Sequence, residues 1–165
     1  MGMALLSLGS NQQPEDNLRS AFDALRERFG AIAASAVYRF PAVGFNGPDF
    51  LNAGAAIDSD LDPVALNDWL HALEDAHGRD RSGPRFGDRT LDIDIVFYDD
   101  LVLDGPDHLQ LPRDELKHAF VLMPLAEIAP DFVDPLSGRT LGDLWADSSE
   151  RGVPFVAVFD PDIGT

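Results

Sequence analysis

Arg89-Thr-Leu-Asp-Ile-Asp-Ile-Val-Phe97 alternates polar and apolar residues with the two-residue period of a half-buried strand. Successive side chains in a strand point to opposite faces, so Leu91, Ile93 and Ile95 turn toward a core while Asp92 and Asp94 project together on the other side. The two carboxylates then lie roughly 6 to 7 Å apart along the chain. Hard oxygens at that separation suit one Mg²⁺ or bracket a pair of ions. Alternating Asp and Ile also describes an ordinary strand whose polar side faces water, so the pattern defines the element before it defines any chemistry.

Outward from this strand, the flanking segments supply its partners. Asp62-Pro63 makes a helix start, and Leu66, Trp69, Leu70 and Leu73 form an apolar stripe that ends near Gly78, with Glu74 close to it. Residues 32–40 and 50–57 read as strands of a hairpin joined by the loop 41–48. Earlier still, Pro14 opens a helix in which Leu18, Phe22, Leu25 and Phe29 recur at helical spacing until Gly30 stops it. Ala4-Leu-Leu-Ser-Leu8 is a first short strand bounded by Gly9-Ser10-Asn11. The order strand, helix, strand, strand, helix, strand predicts an α+β, ferredoxin-like antiparallel sheet with its helices on one face. Beyond it, Leu101 to Leu103 is expected to pair beside the acidic strand, 120–125 to be a buried helical or irregular segment interrupted by Pro124, and 143–145 to be a short helix before a loop-rich end. These form a C-terminal extension of one domain spanning 3–160.

Charge adds a second signal. The 165 residues carry a formal net charge of −17, and of the 12 basic residues only Lys117 is a lysine. Arg79, Arg81, Arg85 and Arg89 fall in one short segment that also holds Gly78, Gly83, Pro84 and Gly87. In so acidic a chain, guanidinium groups gathered on a loop focus an anion. The acidic remainder repels nucleic acid and anionic membranes, so neither is expected as a partner. An apolar content of 45% suits a soluble globular domain, and the absence of cysteine excludes disulfides, thiolate nucleophiles and cysteine metal sites. No apolar run reaches the length of a membrane span and no leader is read, so a cytoplasmic location is the expectation.

Several motifs in order carry a resemblance: Leu8-Gly9-Ser10-Asn11, Pro48-Asp-Phe50-Leu51-Asn52-Ala53, Glu74 with Gly78-Arg79, Gly87-Asp-Arg89-Thr-Leu-Asp92-Ile-Asp94-Ile-Val, and Phe120-Val-Leu-Met-Pro-Leu-Ala-Glu-Ile-Ala-Pro130. From Leu6 to about Pro135 the chain resembles the 6-hydroxymethyl-7,8-dihydropterin pyrophosphokinases of the folate pathway. The resemblance implies ATP-dependent transfer of an intact pyrophosphoryl group to the pterin hydroxymethyl, release of AMP, and two Mg²⁺ ions. It makes Asp92 and Asp94 the metal ligands and has Arg79 and Arg89 stabilise charge on the transferred group. Arg81 and Arg85 belong to a loop closing over ATP, joined on the nucleotide side by Ile95, His108, Arg113 and His118. Phe50 and Phe120 stack on the pterin, Asn52 bonds its edge, and the backbone near Val43 contacts the heterocycle. A monomer whose partners are ATP and the dihydropterin is implied as well.

Departures from the family pattern cluster around the same site. Arg113 stands where a histidine is common, His118 replaces an arginine, Phe40 replaces a threonine, Ala42-Val43 alters the pocket loop, and Asp88 replaces a proline. They raise, as the alternative, a non-catalytic pterin- or nucleotide-binding relative or a pyrophosphokinase with a changed acceptor.

Overall fold

A computed structural model of the chain describes residues 2–40, 49–78, 91–106 and 109–161. At its centre lie strands β1 (Gly2–Ser10), β4 (Phe50–Ser59) and β5 (Asp92–Tyr98), with β1 antiparallel to both neighbours. Two short strands, β2 (Ala33–Ala34) and β3 (Val37–Phe40), pair with the far side of β4. The expected single strand 32–40 is therefore divided. At the break, buried Ser35 stays attached through its side chain, its hydroxyl accepting the Gly54 amide at 2.8 Å.

Helix α1 (Pro14–Phe29) begins with proline in its first turn and ends at Gly30, whose φ of 84° is a conformation only glycine adopts readily. Glu15 and Asp16 at its start and Arg26 and Arg28 at its end complement the helix dipole. Helix α2 (Pro63–Ala76) is capped by Asp62, whose carboxylate accepts the Ala65 amide at 2.8 Å. Both helices cover one face of the sheet, where Leu18, Phe22, Leu25, Leu66 and Leu70 pack with Leu6, Leu8, Ile57, Ile93 and Ile95. This is the ferredoxin-like α+β core.

The C-terminal extension adds a second apolar cluster on the other face of this core. Leu5 pairs with Phe97 and Leu6 with Ile95, so Val96 is the extra residue of a bulge. Val96, Phe97 and Leu5 then form a patch on the opposite face, covered by α3 (Ala119–Ile128) and α4 (Leu141–Ala146). Pro124 does not interrupt α3, because residues 121–126 are all buried and packing outweighs the proline penalty of about 3 kcal/mol.

Two expectations for the C-terminal part are overturned. The 101–103 run does not lie beside β5. Leu103–Asp104 (β6) pairs instead with Gln110–Leu111 (β7) in a separate ribbon, because the outer edge of β5 is occupied by bonds from Ile93 to Glu74 and from Arg113 to Val96. The loop-rich end contains a strand, β8 (Val156–Phe159), which adds to β3 and completes the six-stranded sheet. Among the described residues no helix is long and apolar enough to cross a membrane.

Candidate active site

The face of the sheet toward α3 carries the polar constellation. Asp92 lies opposite Gly9 and Asp94 opposite Ser7 on β1, and Gly9 lies in turn opposite Asn52 on β4. Asn52 is paired with Tyr38 on β3, and Phe50 with Phe40. Register thus sets Asp92, Asp94, Asn52 and Phe50 on one surface although they are far apart in sequence. Two glycines shape that surface. A Cβ on Gly9 would stand 2.8 Å from Asn52 Nδ2, and one on Gly54 only 2.9 Å from Leu125 Cδ2 and 3.2 Å from the Pro124 carbonyl carbon, so Gly54 lets α3 come close to the sheet.

Charge in this site is deliberately unbalanced. The Asp94 side chain keeps 31% of its surface open, yet burial pushes its carboxyl well above the ordinary aspartate value, and the neighbouring Asp92 charge pushes it further. Arg113 opposes the shift from 3.7 Å, while Glu74 and Glu115 reinforce it. Arg113 also bonds Glu115 at 3.1 Å, and its backbone amide donates to the carbonyl of Val96 in the bulge, which is how the ribbon β6–β7 delivers this guanidinium to β5. Glu74, 2% exposed, accepts the Ile93 amide at 2.8 Å.

Two crowded carboxylates on one face of a strand fit a hard divalent cation. Asp92 and Asp94 are the residues here that could hold such an ion, and Mg²⁺ ordinarily takes one or two carboxylates with its remaining ligands from phosphate oxygens and water; among the described residues no cluster of three or more His, Cys, Asp or Glu is gathered. On the other flank, Asn52 is 6% exposed and its Oδ1 is buried with no hydrogen-bond partner among the described residues. A buried acceptor of this kind can take a donor from a ligand or an ordered water.

Residues 5–130 match the family described as 7,8-dihydro-6-hydroxymethylpterin-pyrophosphokinase. The chain belongs to this family. It is 40% identical over 142 residues to a Synechocystis protein named 2-amino-4-hydroxy-6-hydroxymethyldihydropteridine pyrophosphokinase, covering 84% of this chain and 72% of that one. Proteins of the same name from Pseudomonas aeruginosa and Methylorubrum extorquens are 38% and 39% identical, covering 90% and 93% of this chain and 93% and 98% of theirs. In fold, the chain is similar to crystal structures of Plasmodium falciparum HPPK-DHPS, with TM-scores of 0.69 and 0.73 at 12% and 13% identity. Those alignments cover 91% of this chain and 45% and 42% of the solved ones, so this chain spans less than half their length.

Against the pyrophosphokinase pattern, β5 brings Asp92 and Asp94 together and the ribbon adds Arg113. Phe50 and Asn52 come from the first three residues of β4, and half-buried Phe120 from the start of α3. Ile95 buries its side chain in the opposite core, leaving only its main chain to a ligand on this face. His118 is engaged by Glu150, its Nδ1 lying 3.0 Å from Oε2. Phe40 is 2% exposed and packs with Ala119 and Met123. Arg79, Arg81, Arg85, Arg89, Val43, His108, Ala42 and Asp88 lie outside the described residues. Glu74 and Glu150 were not among the site residues expected from the sequence. Glu74 had a signal, a carboxylate beside an apolar helical stripe, whereas Glu150 had none.

Proposed function

We propose that the chain catalyses ATP-dependent transfer of a diphosphoryl group to 6-hydroxymethyl-7,8-dihydropterin, yielding its diphosphate and AMP in folate biosynthesis. The observation that carries this reading is the Asp92 and Asp94 pair on one face of β5, with Arg113 3.7 Å from Asp94. The acceptor hydroxyl gives up its proton to solvent as its oxygen attacks the β-phosphorus of ATP, the bond from that phosphorus to the α,β-bridging oxygen breaks, and AMP leaves with that oxygen. Mg²⁺, taken as two ions, neutralises phosphate charge when bound. Asp92 and Asp94 would hold it, and Arg113 would bind phosphate with a charge that does not titrate. Arg79 and Arg89 are assigned to charge on the transferred group, and Arg81, Arg85, His108, His118 and the Ile95 main chain to the nucleotide.

For the acceptor, Asn52 Oδ1 takes an N–H of the pterin edge, Phe50 and Phe120 stack on its ring, and the Val43 backbone bonds the heterocycle. The catalyst works as a monomer formed by one unit, 3–160. The pyrophosphokinase name of the relatives favours this reading over a binding-only protein. AMP release from ATP with Mg²⁺, with and without the pterin, tests it beside Asp92→Ala. Pterin-dependent AMP that disappears in the variant is expected. Absence of AMP from the folded wild-type chain at high concentration would overturn the reading.

A further inference from the structure

We propose that Glu150 is a positioning residue for the acceptor half of the site, holding the first turn of α3 so that Phe120 is set for the pterin. The proposal rests on the reading of Phe120 as a stacking residue. Helix α3 starts with no cap from His118, its own N-cap residue. The missing partner comes from 31 residues away: Glu150 Oε1 accepts the Ala119 amide at 3.0 Å. Oε2 accepts from His118 Nδ1 at 3.0 Å, and because a carboxylate only accepts, Nδ1 carries the hydrogen. Both oxygens of one side chain are thereby spent on two consecutive residues at the head of the helix.

His118 transmits this hold to Phe120. The two rings are stacked, with centroids 5.2 Å apart and planes 11° from parallel. Phe40 meets Phe120 edge-on at 6.5 Å, and Phe155 packs against Phe40 at 5.5 Å and Tyr38 at 5.4 Å. The segment carrying Glu150 and Phe155 then joins the sheet as β8 beside β3. His118 and Phe40 thus both find partners in this segment. Both lie next to Phe120, so Glu150 reaches the acceptor site through two bonds and one stacked ring.

A cap that serves folding alone would lower Tm and leave ligand affinity unchanged. Calorimetric titration of 6-hydroxymethyl-7,8-dihydropterin, with saturating Mg²⁺ and a non-hydrolysable ATP analogue, separates the two roles. Phe120→Ala is expected to weaken the pterin, Glu150→Ala to weaken it on the order of fivefold, and Glu150→Gln, which keeps an acceptor for Ala119, to recover most of the loss. In the Phe120→Ala background, Glu150→Ala should have no further effect, since the two act through one ring. If Phe120→Ala weakens the pterin and Glu150→Ala does not, or if the two losses add, the role of Glu150 is refuted while stacking by Phe120 stands. Unchanged affinity in Phe120→Ala overturns the stacking reading and the proposal with it. Should Glu150→Ala fail to fold, His118→Ala, which removes the ring but leaves the Ala119 bond, must show the same loss, and normal affinity there refutes the proposal.

Discussion

Glu74 Oε2 accepts the backbone amide of Ile93 at 2.8 Å, setting a buried carboxylate of α2 against the residue midway between Asp92 and Asp94. Because β5 is an edge strand of the main sheet, its outward amides need partners from elsewhere. The bond ties β5 to α2 at the residue between the two aspartates, so α2 does more than fill the core.

Glu74→Ala leaves the Ile93 amide buried without that acceptor, which costs roughly 1 to 3 kcal/mol. Urea denaturation in EDTA should show this loss, and the Mg²⁺ concentration giving half-maximal AMP formation should rise. Glu74→Gln keeps an acceptor and should recover much of the stability. An alanine variant with wild-type Mg²⁺ dependence would show that the bond does not orient the aspartates.

Asp94→Asn should trade activity for stability. Burial first, and the Asp92 charge second, raise the Asp94 carboxyl above its value in the unfolded chain, so the folded metal-free protein holds a proton that the unfolded chain releases. Its stability therefore falls as pH rises from the ordinary aspartate range through the raised one. Asparagine removes that slope. The metal-free variant is expected to melt above wild type at neutral pH, to gain less from Mg²⁺ than wild type, and to lose at least roughly 100-fold in AMP formation. A variant less stable than wild type without metal would contradict this account of the site's electrostatics.

How much of this was legible in the sequence follows from the range of each interaction. The alternation of Asp92, Ile93, Asp94 and Ile95 is local, so β5 and the shared direction of its carboxylates could be read directly. The caps of α1 and α2 at Pro14, Gly30 and Asp62 were equally local. The row Asp92, Gly9, Asn52, Tyr38 depends on register between three strand pairs, which no single segment carries. Strand β8 escaped because Val156 and Ala157 are exposed and the strand exists only by pairing with β3. Pro124 misled for the opposite reason, since tertiary burial of α3 overrides a local breaker. Glu150 carries no local signal at all, its partners being His118 and Ala119.

Gly9→Ala tests the open floor of the site. Its Cβ would lie 2.8 Å from Asn52 Nδ2, a contact that forces the buried amide to move. Displacing Asn52 Oδ1 from a pterin donor should raise the KM for the pterin about tenfold, and the overpacking should cost about 1 to 3 kcal/mol of stability. The KM for ATP should change less than that for the pterin. Steady-state kinetics with each substrate varied in turn decides the point, and an equal rise in both would place the disturbance at Asp92, the other neighbour of Gly9.

Arg113 offers a test in which charge alone is varied. Its main chain is tied to Val96 by the backbone bond of 3.1 Å, so side-chain substitutions leave its position in the ribbon intact. Burial lowers the proton affinity of its guanidinium, but Asp94 and Glu115 together raise it further, and the group stays cationic throughout the working range. Arg113→Ala should raise the KM for ATP about tenfold with little effect on the pterin. In Arg113→His an imidazole with an ordinary pKa of about 6.5 carries the charge only at low pH. The ratio of kcat/KM for ATP in this variant to that in wild type should therefore rise as pH falls from about 8 to about 6. A ratio independent of pH would mean that Arg113 contributes shape to the nucleotide site rather than charge.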